Sequence, residues 1–131
     1  MCIRDSPWAV LLLALSLLLF AGTALFASPS RFWRIEVRES AASDGALVFR
    51  VTPDGEAPIE VEVTVARGKS ENRIARAIRS ALRKKLTQER YRIDIEHGED
   101  VVLEARAGVA AFELELVRSS VKDVEIDLHL E

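Results

Sequence analysis

Apolar and polar residues alternate along most of the chain after Ser30, and this period of two predicts half-buried β-strands. Three such segments precede residue 66, with apolar positions from Trp33 to Val37, from Leu47 to Val51 and from Ile59 to Val65. Pro53-Asp54-Gly55 separates the second from the third and is a turn signal. The first half of the domain is therefore predicted to be three strands.

Helical spacing replaces the alternation from Ser70 to Thr87. Ser70 is suited to cap the N-terminus of this helix, because its hydroxyl can accept a hydrogen bond from a free backbone N–H. The apolar side consists of Ile74, Ile78, Ala81, Leu82 and Leu86. The basic residues that flank or oppose it are Arg73, Arg76, Arg79, Arg83 and Lys84. The segment is predicted to be an amphipathic helix.

Alternation returns in four segments near residues 91–96, 101–105, 112–116 and 124–130, with turn signals at His97-Gly98 and Ala107-Gly108. The predicted order is β-β-β-α-β-β-β-β. Short links favour antiparallel pairing, so we expect an α+β fold, a two-layer sandwich of one mostly antiparallel sheet and one helix. One helix is too small to cover the apolar face of seven strands. Sheet curvature, a partner subunit or a membrane surface are the ways to cover the remainder.

An almost unbroken apolar run extends from Trp8 to Ala27 and has no ionisable side chain. About 20 residues suffice to cross the hydrocarbon layer of a bilayer. Its length favours a single-pass anchor over a cleavable signal peptide, although Ala21-Gly22-Thr23-Ala24 would suit cleavage. Residues 1–6 (MCIRDS) resemble a translated sequencing adapter, which predicts a non-native leader. Residues 7–27 are then an anchor or signal peptide, and residues 28–131 form one folded domain.

The side of the membrane follows less directly. Arg31, Arg34 and Arg38 come after the apolar run, and the positive-inside rule would place them in the cytoplasm. The competing residues before the run belong to the suspected leader, and a short leader followed by a small domain is typical of exported proteins. We therefore expect an extracytoplasmic domain. The single cysteine, Cys2, precedes the apolar run, so the domain has neither a disulfide nor a thiolate metal site.

Charge is segregated along the domain. Residues 67–92 contain ten Lys or Arg and two Glu, whereas residues 93–131 contain eleven Asp or Glu and three Lys or Arg. The outward strand positions are acidic at Glu60, Glu62, Asp94, Glu96, Glu113, Glu115, Glu125 and Asp127. Solvated faces explain most charge runs. The functional interpretation is that the basic helix face binds anionic lipid or a charged protein. Missing aromatic residues among the basic ones weigh against nucleic acid.

Two motifs suggest chemistry. Gly68-Lys69-Ser70 stands between a strand and a helix, but a phosphate-binding loop has a further glycine where this chain has Val63. His97, Glu99 and Asp100 cluster around one turn. They suggest an alternative function, that of a small envelope hydrolase or metal-dependent enzyme. The leading hypothesis is a non-catalytic, membrane-anchored or exported binding module with no cofactor.

The segment from Ile74 to Ala105, a helix followed by YRIDIEHGEDVVLEA, resembles one half of a BON-type envelope domain. That resemblance implies association with phospholipid. Strand patterning continues after Ala105, where that family has a second helix, so no site residue is transferred from the family.

Overall fold

The computed structural model describes residues 29–130 and contains the predicted order of seven strands and one helix. The strands are β1 (Phe32–Arg38), β2 (Gly45–Pro53), β3 (Ile59–Val65), β4 (Tyr91–Glu96), β5 (Asp100–Ala105), β6 (Phe112–Ser119) and β7 (Glu125–Leu130), and the helix is α1 (Glu71–Lys85). The predicted leader and the predicted anchor or signal peptide lie outside the described residues. None of the helices among residues 29–130 is long and apolar enough to cross a membrane.

The strands form two antiparallel sheets, which corrects the expectation of a single sheet. One sheet has the order β4-β5-β1-β7 and the other has the order β3-β2-β6. Of the strands after the helix, only β4 and β5 pair with each other, whereas β6 pairs with β2 and β7 pairs with β1. The chain therefore crosses between the sheets after β1, around the helix, after β5 and after β6.

The two sheets pack against each other, so each covers much of the apolar face of the other. Inward residues of both sheets and of the helix belong to one buried cluster. Two contacts join the sheets directly at Phe112 of β6. Its carbonyl accepts a hydrogen bond from the Trp33 indole N–H at 2.8 Å, and its ring meets the Tyr91 ring edge to face at 5.3 Å. Such aromatic pairs stabilise a core beyond the area they bury.

Helix α1 packs against both β3 and β4, which are edge strands of the two sheets. Its apolar side is buried at Ile74, Ala75, Ile78 and Leu82. Ser70 caps the N-terminus as predicted, because its hydroxyl accepts a hydrogen bond from the Arg73 backbone N–H. An uncovered strand edge exposes unpaired backbone groups, so the helix protects both edges while it completes the core.

The helix runs from one end of β1 to the other. Before it, Gly68 and Lys69 hydrogen-bond to Ala41, just beyond the last residue of β1. After it, the Gln88 carbonyl accepts a hydrogen bond from Arg106, beside the strand position that pairs with Phe32 at the start of β1. A seven-residue strand separates these two ends by about 20 Å.

Truncating the helix core is expected to destabilise the whole domain. Ile78 is fully buried, so Ile78→Ala should lower the free energy of unfolding by about 2–5 kcal/mol. Ser80→Ala, an exposed position on the same helix, should change it by less than about 0.5 kcal/mol. The urea midpoint, followed by circular dichroism, measures both. Equal midpoints for the two variants would contradict the role of α1 in the common core.

Candidate anion-binding surfaces

The outer face of α1 carries free positive charge. Arg73, Arg76 and Lys84 are exposed, and within residues 29–130 their side chains make no hydrogen bond or ion pair. Ser80 is exposed between them, four residues from both Arg76 and Lys84, so it shares their face. Arg79 is half-buried and borders this face. We call Arg73, Arg76, Arg79 and Lys84 the helix basic face.

Arg83, the fifth predicted residue of the basic face, is engaged elsewhere. Its Nε and Nη2 donate to the Ile93 carbonyl at 3.0 and 2.6 Å, and Nη2 also lies 3.0 Å from Asp94 Oδ1. Ile93 belongs to β4, an edge strand whose outer backbone groups have no strand partner. Arg83 therefore fastens the helix to a strand edge and contributes less to the free charge than its sequence position suggested.

The acidic strand positions are partly neutralised on the outer faces of the sheets. Arg34, in the central strand β1, pairs with Glu96 at 2.9 Å and with Asp100 at 3.0 Å. Arg50, in the central strand β2, pairs with Glu60 at 3.0 Å. The sheets are thus mixed in charge, whereas the helix basic face has no acidic partner within the described part of the chain.

The alternative enzyme hypothesis rests on the turn around His97. His97 is exposed, with a φ of 54°, and its side chain makes no hydrogen bond or ion pair with the described residues. Asp100 is committed to its ion pair with Arg34. Gly68-Lys69-Ser70 similarly consists of a turn glycine with a φ of 86°, an exposed lysine and the helix cap.

A second histidine does meet carboxylates, and sequence reasoning missed this cluster. His129 Nε2 lies 3.0 Å from Glu36 Oε2, and Asp127 completes a group whose potential ligand atoms lie within 4.8 Å of one another. These residues are far apart in sequence, and the pairing of β1 with β7 brings them together. Arg38 Nε lies 3.1 Å from Glu36 and 3.2 Å from Asp127. Its hydrogen bond, with that from His129, lowers the pKa of Glu36. The guanidinium already supplies the positive charge that a cation would bring.

Arginines also surround a hollow at the end of the domain where the described chain begins. The hollow has a volume of about 460 Å³, and the residues that line it are Arg31, Phe32, Arg92, Glu104, Ala105, Arg106 and Ala107. We call it the arginine hollow. Arg31 donates to the backbone carbonyls of Ala105, Arg106 and Val109. Its guanidinium therefore orders the β5–β6 turn without neutralisation by a carboxylate.

A neighbouring hollow of about 380 Å³ shares two of these residues. It is lined by Arg83, Gln88, Tyr91, Arg92, Ile93, Asp94 and Arg106. Arg106 donates through Nε to the Gln88 carbonyl at 2.6 Å, and its two Nη groups have no partner among residues 29–130. Arg92 is paired, with its Nε 2.7 Å from Asp94 and Nη1 4.0 Å from Glu104. The two hollows together expose four arginines against two carboxylates.

Arg31, which lines the arginine hollow, lies close in sequence to the apolar run. The chain joins the fold at Ser30, whose N–H and C=O both hydrogen-bond to Phe112 at 2.9 Å, and Arg31 follows directly. Arg73, at the opposite end of α1, lies near the far end of β1. The two cationic surfaces therefore differ in their distance from the point where the apolar run would meet the domain.

Comparison of the sequence with family models and with curated proteins finds no match. The resemblance of residues 74–105 to a BON-type domain thus gains no support from the family comparison. The structure has strands β6 and β7 where that family has its second helix.

Acid is expected to weaken the domain partly through Asp94. The hydrogen bond from Arg92, helped by Arg83, lowers the pKa of Asp94 below its ordinary value of 3.8. The unfolded chain therefore binds more protons in this range, and the contribution of Asp94 to stability is present above pH 3.8 and lost as the pH falls through the lowered value. Asp94→Asn should thus lose less unfolding free energy than the wild type between neutral pH and strong acid.

The matched control is Asp54→Asn, because Asp54 is exposed and its side chain makes no ion pair within the described residues. Urea unfolding at a series of pH values measures all three proteins. An acid dependence of Asp94→Asn identical to that of the wild type would show that the Arg92–Asp94 bond has no role in it.

Proposed function

We propose that this chain is a small non-catalytic binding module of the cell envelope, held at a membrane by its N-terminal apolar run. In this proposal, the helix basic face contacts anionic phospholipid. The observation that carries the proposal is the contrast between two sets of cations. Arg34, Arg50 and Arg83 are paired with carboxylates. Arg73, Arg76 and Lys84 are exposed without such partners. A charge that stabilises nothing within the fold is available for a ligand.

The energetics suit an orienting role. Each Lys or Arg near an anionic surface contributes about 1 kcal/mol. The four residues of the helix basic face would therefore contribute about 4 kcal/mol at most, which is too little for stable attachment on its own but ample to bias the orientation of a domain that is already anchored. The attraction is screened within about 8 Å at physiological ionic strength, so the contact requires close approach.

The geometry gives the alternative enzyme no comparable support. A catalytic site brings a nucleophile or base, an orienting group and a substrate-sized hollow together. His97 stands alone in an exposed turn, and Asp100 beside it is paired with Arg34. The polar clusters of the described domain are dominated by arginine–carboxylate pairs, which is typical of structural ion pairing.

Charge reversal on the helix is expected to release it from an anionic bilayer. In a Cys2→Ser background, a fluorophore on Ser80→Cys reports on the centre of the helix basic face. With the full chain in phosphatidylglycerol nanodiscs, quenchers attached to lipid headgroups should quench this fluorophore. The pair Arg73→Glu and Arg76→Glu should abolish the quenching, while the fold persists because glutamate is compatible with the first helical turns.

The control pair is Arg118→Glu and Lys122→Glu, which makes the same change of charge at exposed positions outside α1. In this control variant, the fluorophore should be quenched as strongly as without the charge reversals. Equal quenching in phosphatidylcholine and phosphatidylglycerol nanodiscs, or retained quenching after reversal of Arg73 and Arg76, would refute the lipid contact. A charged protein partner would then be the remaining role for this face.

We further propose that the domain is extracytoplasmic. Protease added to intact cells should then digest residues 29–130, whereas a cytoplasmic marker protein stays intact. Digestion of the domain only after lysis would place it in the cytoplasm, together with its basic residues.

A further inference from the structure

We propose that the arginine hollow is a binding site for a phosphate group, the form in which a phospholipid headgroup would meet the end of the domain beside the apolar run. The inference rests on the proposed placement beside an anionic bilayer, but it does not need the helix basic face. It assigns to Arg31, Arg92 and Arg106 a shared ligand, with Phe32 at the side of the same hollow.

The donors in the hollow are suited to phosphate. A guanidinium presents N–H groups in a planar fork that matches two oxygens of a phosphate. Arg106 is fixed through Nε by the Gln88 carbonyl and leaves both Nη groups without partners in the described domain. Arg31 is held by three carbonyls of the adjoining turn, so its charge is ordered but not neutralised. Two positioned cations without carboxylate partners thus border one hollow.

The competing carboxylates limit which residues would bind most strongly. Glu104 lines the hollow and lies 4.0 Å from Arg92, which is also bonded to Asp94. Arg92 would therefore lend charge, whereas Arg31 and Arg106 would make the direct contacts. Phe32 is half-buried beside them and offers an apolar surface, as expected of a site at the boundary between headgroups and acyl chains.

Chain length brings this site to the headgroups. Arg31 lies four positions after Ala27, the last residue of the apolar run, and four extended residues span at most about 14 Å. The headgroup layer on each side of a bilayer is about 5–7 Å thick. If the apolar run spans the membrane, Arg31 is tethered within reach of that layer. Arg73 lies near the other end of β1, about 20 Å farther along the domain.

The test uses the ¹⁵N-labelled full chain, first in neutral detergent micelles with inorganic phosphate as the probe. Phosphate should shift the amide resonances of Arg31 and of residues 105–108, whereas chloride at equal ionic strength should not. Arg106→Gln should weaken this response at least about tenfold, because it removes a charge-assisted contact. Arg118→Gln, an exposed arginine without a partner elsewhere in the described domain, should leave it unchanged.

A second variant guards against loss of folding in Arg106→Gln, whose Nε contact also holds the loop after α1. Ala107→Glu places a carboxylate at an exposed position of the hollow and breaks no bond of the described structure. It should weaken the phosphate response to a similar degree with an unchanged urea midpoint. A full response in both folded variants would overturn the proposal.

The source of the phosphate is decided in nanodiscs. The phosphate of phosphatidylcholine is neutralised by its own choline, whereas that of phosphatidylglycerol is not. If exchange of phosphatidylcholine for phosphatidylglycerol shifts the same amides as free phosphate does, the ligand is an anionic lipid headgroup. A response to free phosphate alone keeps the site but assigns it to a soluble phosphate compound. A response in nanodiscs alone, or in neither, overturns the site. Reversal of Arg73 and Arg76 should leave the phosphate response intact, so failure of the helix contact and failure of this site are separable.

Discussion

The structure depends on the burial of one helix face between two sheet edges. Ile74, Ile78 and Leu82 project from α1 into a cluster that also contains the inward side chains of both sheets. Without the helix, β3 and β4 would expose their edges and the core would open along that side. This constraint explains the amphipathic pattern of α1. The outer face of the helix packs against no other element of the described domain and is exposed to solvent.

Arginine has two roles in this domain. In the central strands, Arg34 and Arg50 pair with carboxylates on other strands and offset the repulsion of an acidic sheet surface. An exposed pair such as Arg50–Glu60 contributes little to stability. At the end of the domain, Arg31 and Arg106 donate to backbone carbonyls and have no carboxylate partner among residues 29–130. Arg31 and Arg106 line the arginine hollow, the surface proposed above for a phosphate group.

The sequence predicted the elements well and their assembly poorly. Periodicity is local, so alternation near Trp33 and helical spacing around Ile78 were enough to place every strand and the helix in order. Pairing of β1 with β5 and β7 is not local, and nothing in the period of two distinguishes one sheet from two. The same reason hid the arginine hollow, because Arg31, Arg92 and Arg106 are distant in sequence and resemble ordinary surface positions. Arg83 was predicted to be part of the basic face, because its contacts with Ile93 and Asp94 of β4 depend on tertiary packing.

The central position of β1 determines when the domain can fold. The residues with which it pairs in β5 and β7 lie about 60 to 100 positions later in the chain, and such long-range pairings are slow to form. The sheet that contains β1 therefore stays incomplete until β7, the last strand of the described residues, is available. Under the export proposed above, this delay would keep the domain from closing before its chain has crossed the bilayer.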